Sequence, residues 1–489
     1  MTIPIPSFSL SSIGPWLTLT IAAIIILLVD AFKPKVRKGL FPILALLALA
    51  VAAWQTYCLW GERGLDFTRM VYLDNFAFYF YLIIILGTAL TVLLSPTYLE
   101  EFGKNIGEYY ALVLFAAVGM LLMAASAHFI MIFLGLEIMS ISVYVLAGLF
   151  REDPRSNEAA LKYLVLGAFA SGFLLFGMAF LYGAAGGTLY LTDLARKLTT
   201  FATLTRPLTL LGLGLIIVGF GFKVASVPFH MWTPDVYEGA PTNVTAFMAV
   251  GVKAAAFAAF ARVMFVVFPA FTVQWNMVLW ALAVATMTLG NVVAIAQTNI
   301  KRMLAYSSIA HAGYLLVALV AANQLGAVSL LYYLLAYTLM NIGAFGVVIL
   351  VGRKKDSYLN IYDYSGLGFQ HPALAATMAI FMFALAGIPP TAGFVGKFYI
   401  FSAAVKAGYI WLAIIGVLNS LVSVYYYLRI TVLMYMRPAE ADLGPIPFTY
   451  GLTFAVALTA FATLAIGIFP GFFYDMAVNS VKIFPGLAG

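Results

Sequence analysis

Apolar residues run along this chain in long unbroken stretches, not in the strict alternation of a half-buried strand. The stretches lie near Pro15–Ala31, Leu40–Trp60, Asn75–Ser95, Tyr109–Ser126, Phe129–Phe150, Ala159–Ala184 and Leu208–Pro228. They continue near Thr242–Phe268, Met277–Ala296, Met303–Ala322, Gly326–Val351, Ala373–Val405, Ile410–Met436 and Tyr450–Pro470. Most approach the roughly 20 residues that a bilayer's hydrocarbon core requires. Hydrocarbon offers no partner to open backbone groups, so such runs are helices or strands of a closed barrel, and their continuity selects helices. These fourteen spans predict an all-α polytopic membrane protein with both termini on one side. No Gly/Ser linker or charge run divides the chain, which therefore reads as one membrane domain over 1–489.

Composition sharpens this picture. Of 489 residues, 64% are apolar and 9% charged, where soluble chains carry about a quarter charged. That excludes a soluble enzyme, a disordered segment and a nucleic-acid-binding domain. The single cysteine, Cys58, excludes a disulfide framework, an iron–sulfur cluster and a cysteine-based zinc site. Met1 to Pro15 carry no basic leader, so the first apolar run is expected to remain as a span.

The net charge of +7 reads as an orientation signal. One side of the predicted bundle holds Lys33, Lys35, Arg37, Lys38, Lys104, Arg151, Arg155, Lys301, Arg302, Arg353, Lys354, Lys355 and Arg437. The other holds fewer: Arg63, Arg69, Arg196, Lys197, Arg206, Lys406 and Lys482. The first side is expected to be cytoplasmic, with both termini outside.

Two spans share a helix-breaking segment: Ala225-Ser226-Val227-Pro228 in the seventh, and Ala386-Gly387-Ile388-Pro389, followed by Pro390, in the twelfth. Lys223 precedes the first and Lys397 follows the second. An offset of five spans is odd, so two such copies would be inverted in the membrane, the arrangement that marks ion pathways in transporters.

Four charges fall inside spans: Glu137, Lys223, Lys253 and Lys397. Each would cost about 2.5–3.5 kcal/mol on insertion scales if left unpaired. Static pairing would hold helices together, but one glutamate cannot neutralise three lysines. Desolvation favours the neutral form of a lysine, and a carboxylate opposes that. Moving a Glu–Lys pair therefore makes the lysine take up or release a proton. His311 is also in a span and can pass protons between lysines. Lys162, at the start of the sixth span, reads as a relay or as an interfacial anchor. Arg262 and Arg429 read as anchors and Asp30 as an interfacial cap. His230, Asp235 and Glu238 follow the first break as candidate mouth residues or as an ordinary polar loop. Gly396-Lys397 lacks the Ser or Thr and the upstream glycine of a phosphate-binding loop, and the four histidines lack metal-ligand spacing, so no cofactor site is expected.

The run from Phe222 to Thr242, FKVASVPFHMWTPDVYEGAPT, resembles the signature of the antiporter-like subunits of respiratory complex I and of Mrp-type antiporters. Asn299 to His311 and Gly387 to Phe394 are similarly typical of that family. The resemblance spans roughly Asp74 to Pro470. It implies 14 helices: three N-terminal ones (1–108), a first repeat of helices 4–8 (109–268), an inverted repeat of helices 9–13 (275–436) and helix 14 (449–470). Bacterial complex I contains three such subunits. This chain lacks the lateral helix of the longest, and it has Lys397 where the middle one usually has Glu.

The resemblance implies that Glu137 pairs with Lys223, that Lys253 links two half-channels, and that Lys397 ends the second half. His311 and Lys162 match positions in the same proton wiring. NADH, FMN, iron–sulfur clusters and quinone would sit in partner subunits, with no redox chemistry in this chain. The partners implied are other membrane and peripheral subunits, neighbouring antiporter-like subunits among them, with lipids and protons and no nucleic acid, in a bacterial inner membrane. The expected function is proton translocation coupled to quinone reduction elsewhere. An Mrp-type cation/proton antiporter or membrane-bound hydrogenase subunit is the alternative, and a scaffold whose buried charges only fix packing is a third reading.

Overall fold

The computed structural model describes residues 9–33, 38–200, 202–352, 356–440, 443–446, 449–484 and 487. Lys35, Arg37, Arg353, Lys354 and Lys355 of the orientation pattern lie outside the described residues.

Helices α1 (Leu10–Phe32) and α2 (Leu40–Cys58) precede an antiparallel hairpin of β1 (Gly64–Asp66) and β2 (Val71–Leu73). Then come α3 (Asn75–Glu101), α4 (Gly107–Ala125), α5 (Phe129–Ala147), α6 (Pro154–Ala184), α7 (Leu191–Thr200), α8 (Ala202–Lys223) and α9 (Trp232–Gly239). A composite helix follows: α10 (Thr242–Phe247), a π-helical turn (Met248–Val252) and α11 (Lys253–Val267). The rest comprises α12 (Thr272–Ile295), α13 (Ile300–Ala321), α14 (Gln324–Gly352), α15 (Leu367–Gln370), α16 (Pro372–Ala386), α17 (Ala392–Lys406), α18 (Ile410–Met436), α19 (Tyr450–Ile468) and α20 (Gly471–Val481). Among the described residues, 13 helices are long and apolar enough to cross a membrane. The molecule is thus an all-α polytopic membrane protein with one small hairpin.

The apolar run at Ala373–Val405 is not one helix. It is α16 and α17, 15 residues each. Gly387, at φ 86°, ends α16, and Pro389 and Pro390 cannot continue it. The run at Leu208–Pro228 likewise stops being helical at Lys223, where Ala225 adopts φ 61°. Both ends are closed by the same pair of backbone bonds. Ala225 N–H donates to Phe222 (3.1 Å) and Ser226 N–H to Gly221 (2.8 Å); Gly387 N–H donates to Ala384 (3.1 Å) and Ile388 N–H to Phe383 (2.9 Å). Ala225 therefore corresponds to Gly387, one residue later than the sequence alignment of the two breaks has it. Val227–Pro228 and Pro389–Pro390 are both cis peptides. Helices α7, α9 and α20 and the hairpin have no counterpart among the predicted spans, because each is too short or too polar to cross a membrane.

The interior is built from the helices with the least outward surface. The best apolar window of α14 is 100% buried, and those of Thr242–Val267 and α13 are 94% buried. Polar side chains on these helices consequently face protein. On the other half of the molecule, α4 and α5 touch through glycines. A Cβ on Gly119 would come within 2.5 Å of the Gly135 carbonyl, so only glycine admits this approach.

Candidate functional site

Lys223 is the last residue of α8, so its side chain leaves the helix just where the chain opens into the Val224–Met231 segment. It is 3% exposed. Its ammonium donates to Ser140 Oγ at 2.7 Å and to Tyr144 OH at 3.4 Å, and it lies over the Tyr144 and Tyr163 rings at 5.4 and 5.5 Å. Glu137 is half-buried on the same helix, α5, one turn before Ser140, and accepts from Ser171 Oγ at 2.6 Å. Among the described contacts no ion pair joins Glu137 and Lys223: the carboxylate bonds Ser171, and the ammonium bonds Ser140 one turn further along α5. A hydroxyl that can both donate and accept stands next to the lysine.

Lys253 follows the π-helical turn directly, a local widening common at functional positions. It is 2% exposed. Its ammonium donates to the Ser308 carbonyl and to Ser308 Oγ on α13, and lies 5.2 Å from the centre of the Tyr337 ring of α14. One turn along α13 from Ser308, His311 is buried between two tyrosines. Its Nδ1 is 2.6 Å from Tyr333 OH and its Nε2 3.0 Å from Tyr427 OH, and Tyr427 OH also bonds Ser307 Oγ. The His311 ring lies 5.1 Å from Tyr337 and 5.6 Å from Tyr314.

Tyr314 leads to Lys397, whose ammonium stands 4.8 Å from the centre of that ring. Lys397 is 4% exposed. It donates to the Leu385 and Ala386 carbonyls, both at 2.9 Å, and to Ser420 Oγ at 3.0 Å. These carbonyls are the open C-terminal groups of α16, where the helix dipole attracts a cation. The structure therefore brings Lys253, His311 and Lys397 into one file of aromatic and hydroxyl groups, with no carboxylate bonded to either ammonium. The hydroxyl-bearing partners Ser140, Ser308, Tyr314, Tyr333, Tyr337 and Tyr427 were not singled out from the sequence. Tyr333 and Tyr337, one turn apart in the Gly326–Val351 run, are the signal that could find them.

Lys162 does not join this file. It is 39% exposed and pairs with Glu158 (2.6 Å) and Asp235 (2.7 Å). Arg302 bonds Asp235 (2.8 Å) and Glu238 (2.9 Å), so two of the three mouth candidates belong to one partly exposed ion cluster. Burial opposes the Asp235 charge, but its bonds from Lys162 and Arg302 prevail and hold its carboxyl below the usual range. Burial lowers the pKa of His230, whose Nδ1 is enclosed without a partner.

Two sequence assignments change, those of Arg262 and Lys301. Arg262 is no interfacial anchor. It is 1% exposed and forks onto Asp74 at 2.7 and 2.9 Å, with further bonds to the Ala124 carbonyl. Lys301 is not a loop charge but is 2% exposed and donates to the Ala240 carbonyl at 2.6 Å. Asp30 caps α4, not its own helix, accepting from Gly107 N–H at 2.7 Å. Arg429 stays near a helix end, bonding Tyr362 OH at 2.8 Å.

Among the described residues, no group of His, Cys, Asp or Glu side chains could hold a metal ion. Residues 126–423 match the family described as NADH:quinone oxidoreductase/Mrp antiporter, TM. The chain is 49% identical over 477 residues to NADH-quinone oxidoreductase subunit N of Trichlorobacter lovleyi, covering 98% of each. Among solved structures it resembles a chain of respiratory complex I from Thermus thermophilus, at TM-score 0.81 and 35% identity over 95% of this chain and 99% of that one. It also resembles a chain of a membrane-bound sulfane sulfur reductase, an archaeal respiratory membrane complex, at TM-score 0.85 and 25% identity over 98% and 97%.

Proposed function

The chain belongs to the NADH:quinone oxidoreductase/Mrp antiporter transmembrane family, and from that premise we propose that it is the subunit-N-type proton-translocating membrane subunit of an NADH-quinone oxidoreductase. It acts as a non-redox part of that translocase, in a bacterial inner membrane. NADH, FMN, iron–sulfur clusters and quinone are held by partner subunits, and quinone reduction there drives proton transfer here. Both termini lie outside the cytoplasm, and the two halves act as inverted repeats, a reading supported by the matched caps at Ala225 and Gly387.

One observation carries the reading: Lys223, Lys253 and Lys397 are each nearly fully buried, and their ammoniums bond hydroxyls and carbonyls, not carboxylates. Such groups can lose a proton without abandoning a buried counter-charge. A proton moved against about 150 mV needs roughly 3.5 kcal/mol. Bringing Glu137 toward Lys223 changes the cost of protonating the lysine by an amount of that order. His311 passes the proton between Lys253 and Lys397 through its tyrosines. Lys162 serves the mouth of the route or anchors it.

Subunit membership in a cation/proton antiporter or membrane-bound hydrogenase is the second reading, favoured by the breadth of the family. Full-length identity near one half to a subunit N favours the first. The test is to install Lys223→Ala and Glu137→Ala in the assembled complex and measure NADH–quinone turnover with proton pumping. Turnover and pumping are expected to fall severely while assembly persists. Full pumping by an assembled Lys223→Ala complex would return the buried lysine to a scaffolding role.

A further inference from the structure

Asn341 lies on α14 and is completely buried, yet neither its amide nitrogen nor its amide oxygen has a hydrogen-bond partner. Among the described residues it is the one side-chain amide with both its nitrogen and its oxygen left open in this way. The hydroxyl of Tyr337, one helical turn earlier on the same face, is also enclosed without a partner. Ser308 and Asn341 are near enough to the Tyr337 hydroxyl to influence it, yet neither is placed to complete a hydrogen bond with it. Ser308 is the residue that receives the Lys253 ammonium, and the Tyr337 ring lies beneath that same ammonium. Open buried donors and acceptors thus lie beside one lysine.

Native proteins rarely leave a buried amide wholly unmet. Where they do, an ordered water with two to four polar partners is the usual occupant. Asn341 Oδ1, Asn341 Nδ2, Tyr337 OH and Ser308 Oγ supply such a set. We infer that Asn341 and Tyr337 hold a buried water that completes the hydrogen-bonded path to Lys253 through Ser308. The site takes water or its protonated form. Asn341 is a positioning residue: it orients the water and does not itself exchange a proton. Helix α14 runs onward from Asn341 to Gly352, and Asp356 beyond it bonds Thr242, one residue from the α9–α10 junction. The same junction supplies the Ala240 carbonyl to Lys301, next to Arg302 of the ion cluster.

This inference rests on the proton-relay reading above, and its test separates the two. In the assembled complex, Asn341→Leu fills the space and removes both polar atoms, while Asn341→Ser keeps a hydroxyl and leaves room for water. Asn341→Leu should slow coupled turnover roughly fivefold, the factor equivalent to losing one ordinary hydrogen bond in the rate-determining barrier. Asn341→Ser should recover most of it. Equal activity of Asn341→Leu and the parent overturns the water site, as does equal loss in both variants with assembly intact. Lys253→Met is run alongside. If it abolishes pumping while Asn341→Leu does not slow it, the relay stands and the water fails; if Lys253→Met pumps fully, the relay itself fails. Should Asn341→Leu not assemble, a density map of the parent complex at a resolution that shows ordered solvent decides. Water bonded to both Asn341 and Tyr337 supports the site, and an amide packed against protein atoms alone overturns it.

Discussion

Arg262 and Lys397 are buried to almost the same degree, yet the molecule treats their charges in opposite ways. Arg262 meets Asp74 through two parallel bonds, adds the Ala124 carbonyl, and is sandwiched by Tyr72 and Phe76 at 4.6 and 4.8 Å. Asp74 also caps α3 by accepting from Ala77 N–H at 2.7 Å, so the carboxylate is fixed from both sides. Guanidinium never releases its proton in a protein, and the fork geometry leaves it nowhere to go. Lys397 has the reverse arrangement. Its partners are two carbonyls at the end of α16, which stops at Gly387, and Ser420 on α18, all neutral. The first site holds a charge permanently. The second can host a charge or do without it, which is what a proton relay requires. Buried charge by itself therefore does not mark function; the kind of partner does.

The largest expected effect comes from breaking the fixed pair. Arg262→Met leaves Asp74 charged and alone in the interior, and Asp74→Leu does the same to Arg262. Each should cost about 3–5 kcal/mol, enough to deplete the subunit from assembled complex. The double variant removes both charges and should regain most of that loss. Immunoblots of the assembled complex, with its thermal denaturation, read this out. If either single variant assembles normally and the double one gains nothing, the pair is not the structural lock described.

Lys397→Met should invert that pattern. It strands no opposite charge, and its three acceptors lose one neutral-side partner each, so stability should change by less than about 2 kcal/mol in either direction. Proton pumping should nevertheless collapse. Comparing melting temperature with acidification by inverted vesicles in the same preparation separates the two effects. A variant that is unstable but still pumps would place Lys397 with Arg262.

The sequence carried the architecture further than it carried these partnerships. Run length alone located the spans, and Pro389 and Pro390 located the second interruption. The nature of the Arg262 charge was hidden, because Asp74 lies 188 positions away and only folding brings the two together. Lys301 looked like its neighbour Arg302. Successive residues on a helix point about 100° apart, so one reaches the Ala240 carbonyl inside while the other joins the partly exposed cluster. Glu137 and Lys223 were legible as charges within spans, but Ser140, which receives the Lys223 ammonium, was not, since a serine in a span has no distinguishing pattern. The tyrosines around His311 were equally silent, because tyrosine counts as apolar in the runs that define the helices.

The smallest expected effect concerns the cluster of Lys162, Asp235, Glu238 and Arg302, the exposed counterpart of the fixed pair. Asp235 is held below the ordinary carboxylate value, because its two cationic partners outweigh its partial burial. The unfolded chain therefore binds more protons than the folded one in the acidic range. The stabilisation is complete above the unfolded value, near about 4, and is lost as pH falls through the lower folded value. The side chains are about a third exposed, and solvent screens them, so the contribution stays below about 1 kcal/mol. Asp235→Asn should accordingly lower the melting temperature slightly at pH 6–7, with the difference from the parent shrinking in high salt and vanishing only once pH falls below the depressed folded value of Asp235. Lys162→Met tests the same cluster for function. Near-parental pumping makes Lys162 an anchor of the α6–α9 contact. A loss approaching that of Lys397→Met would instead bring the proton route out through the cluster to the surface.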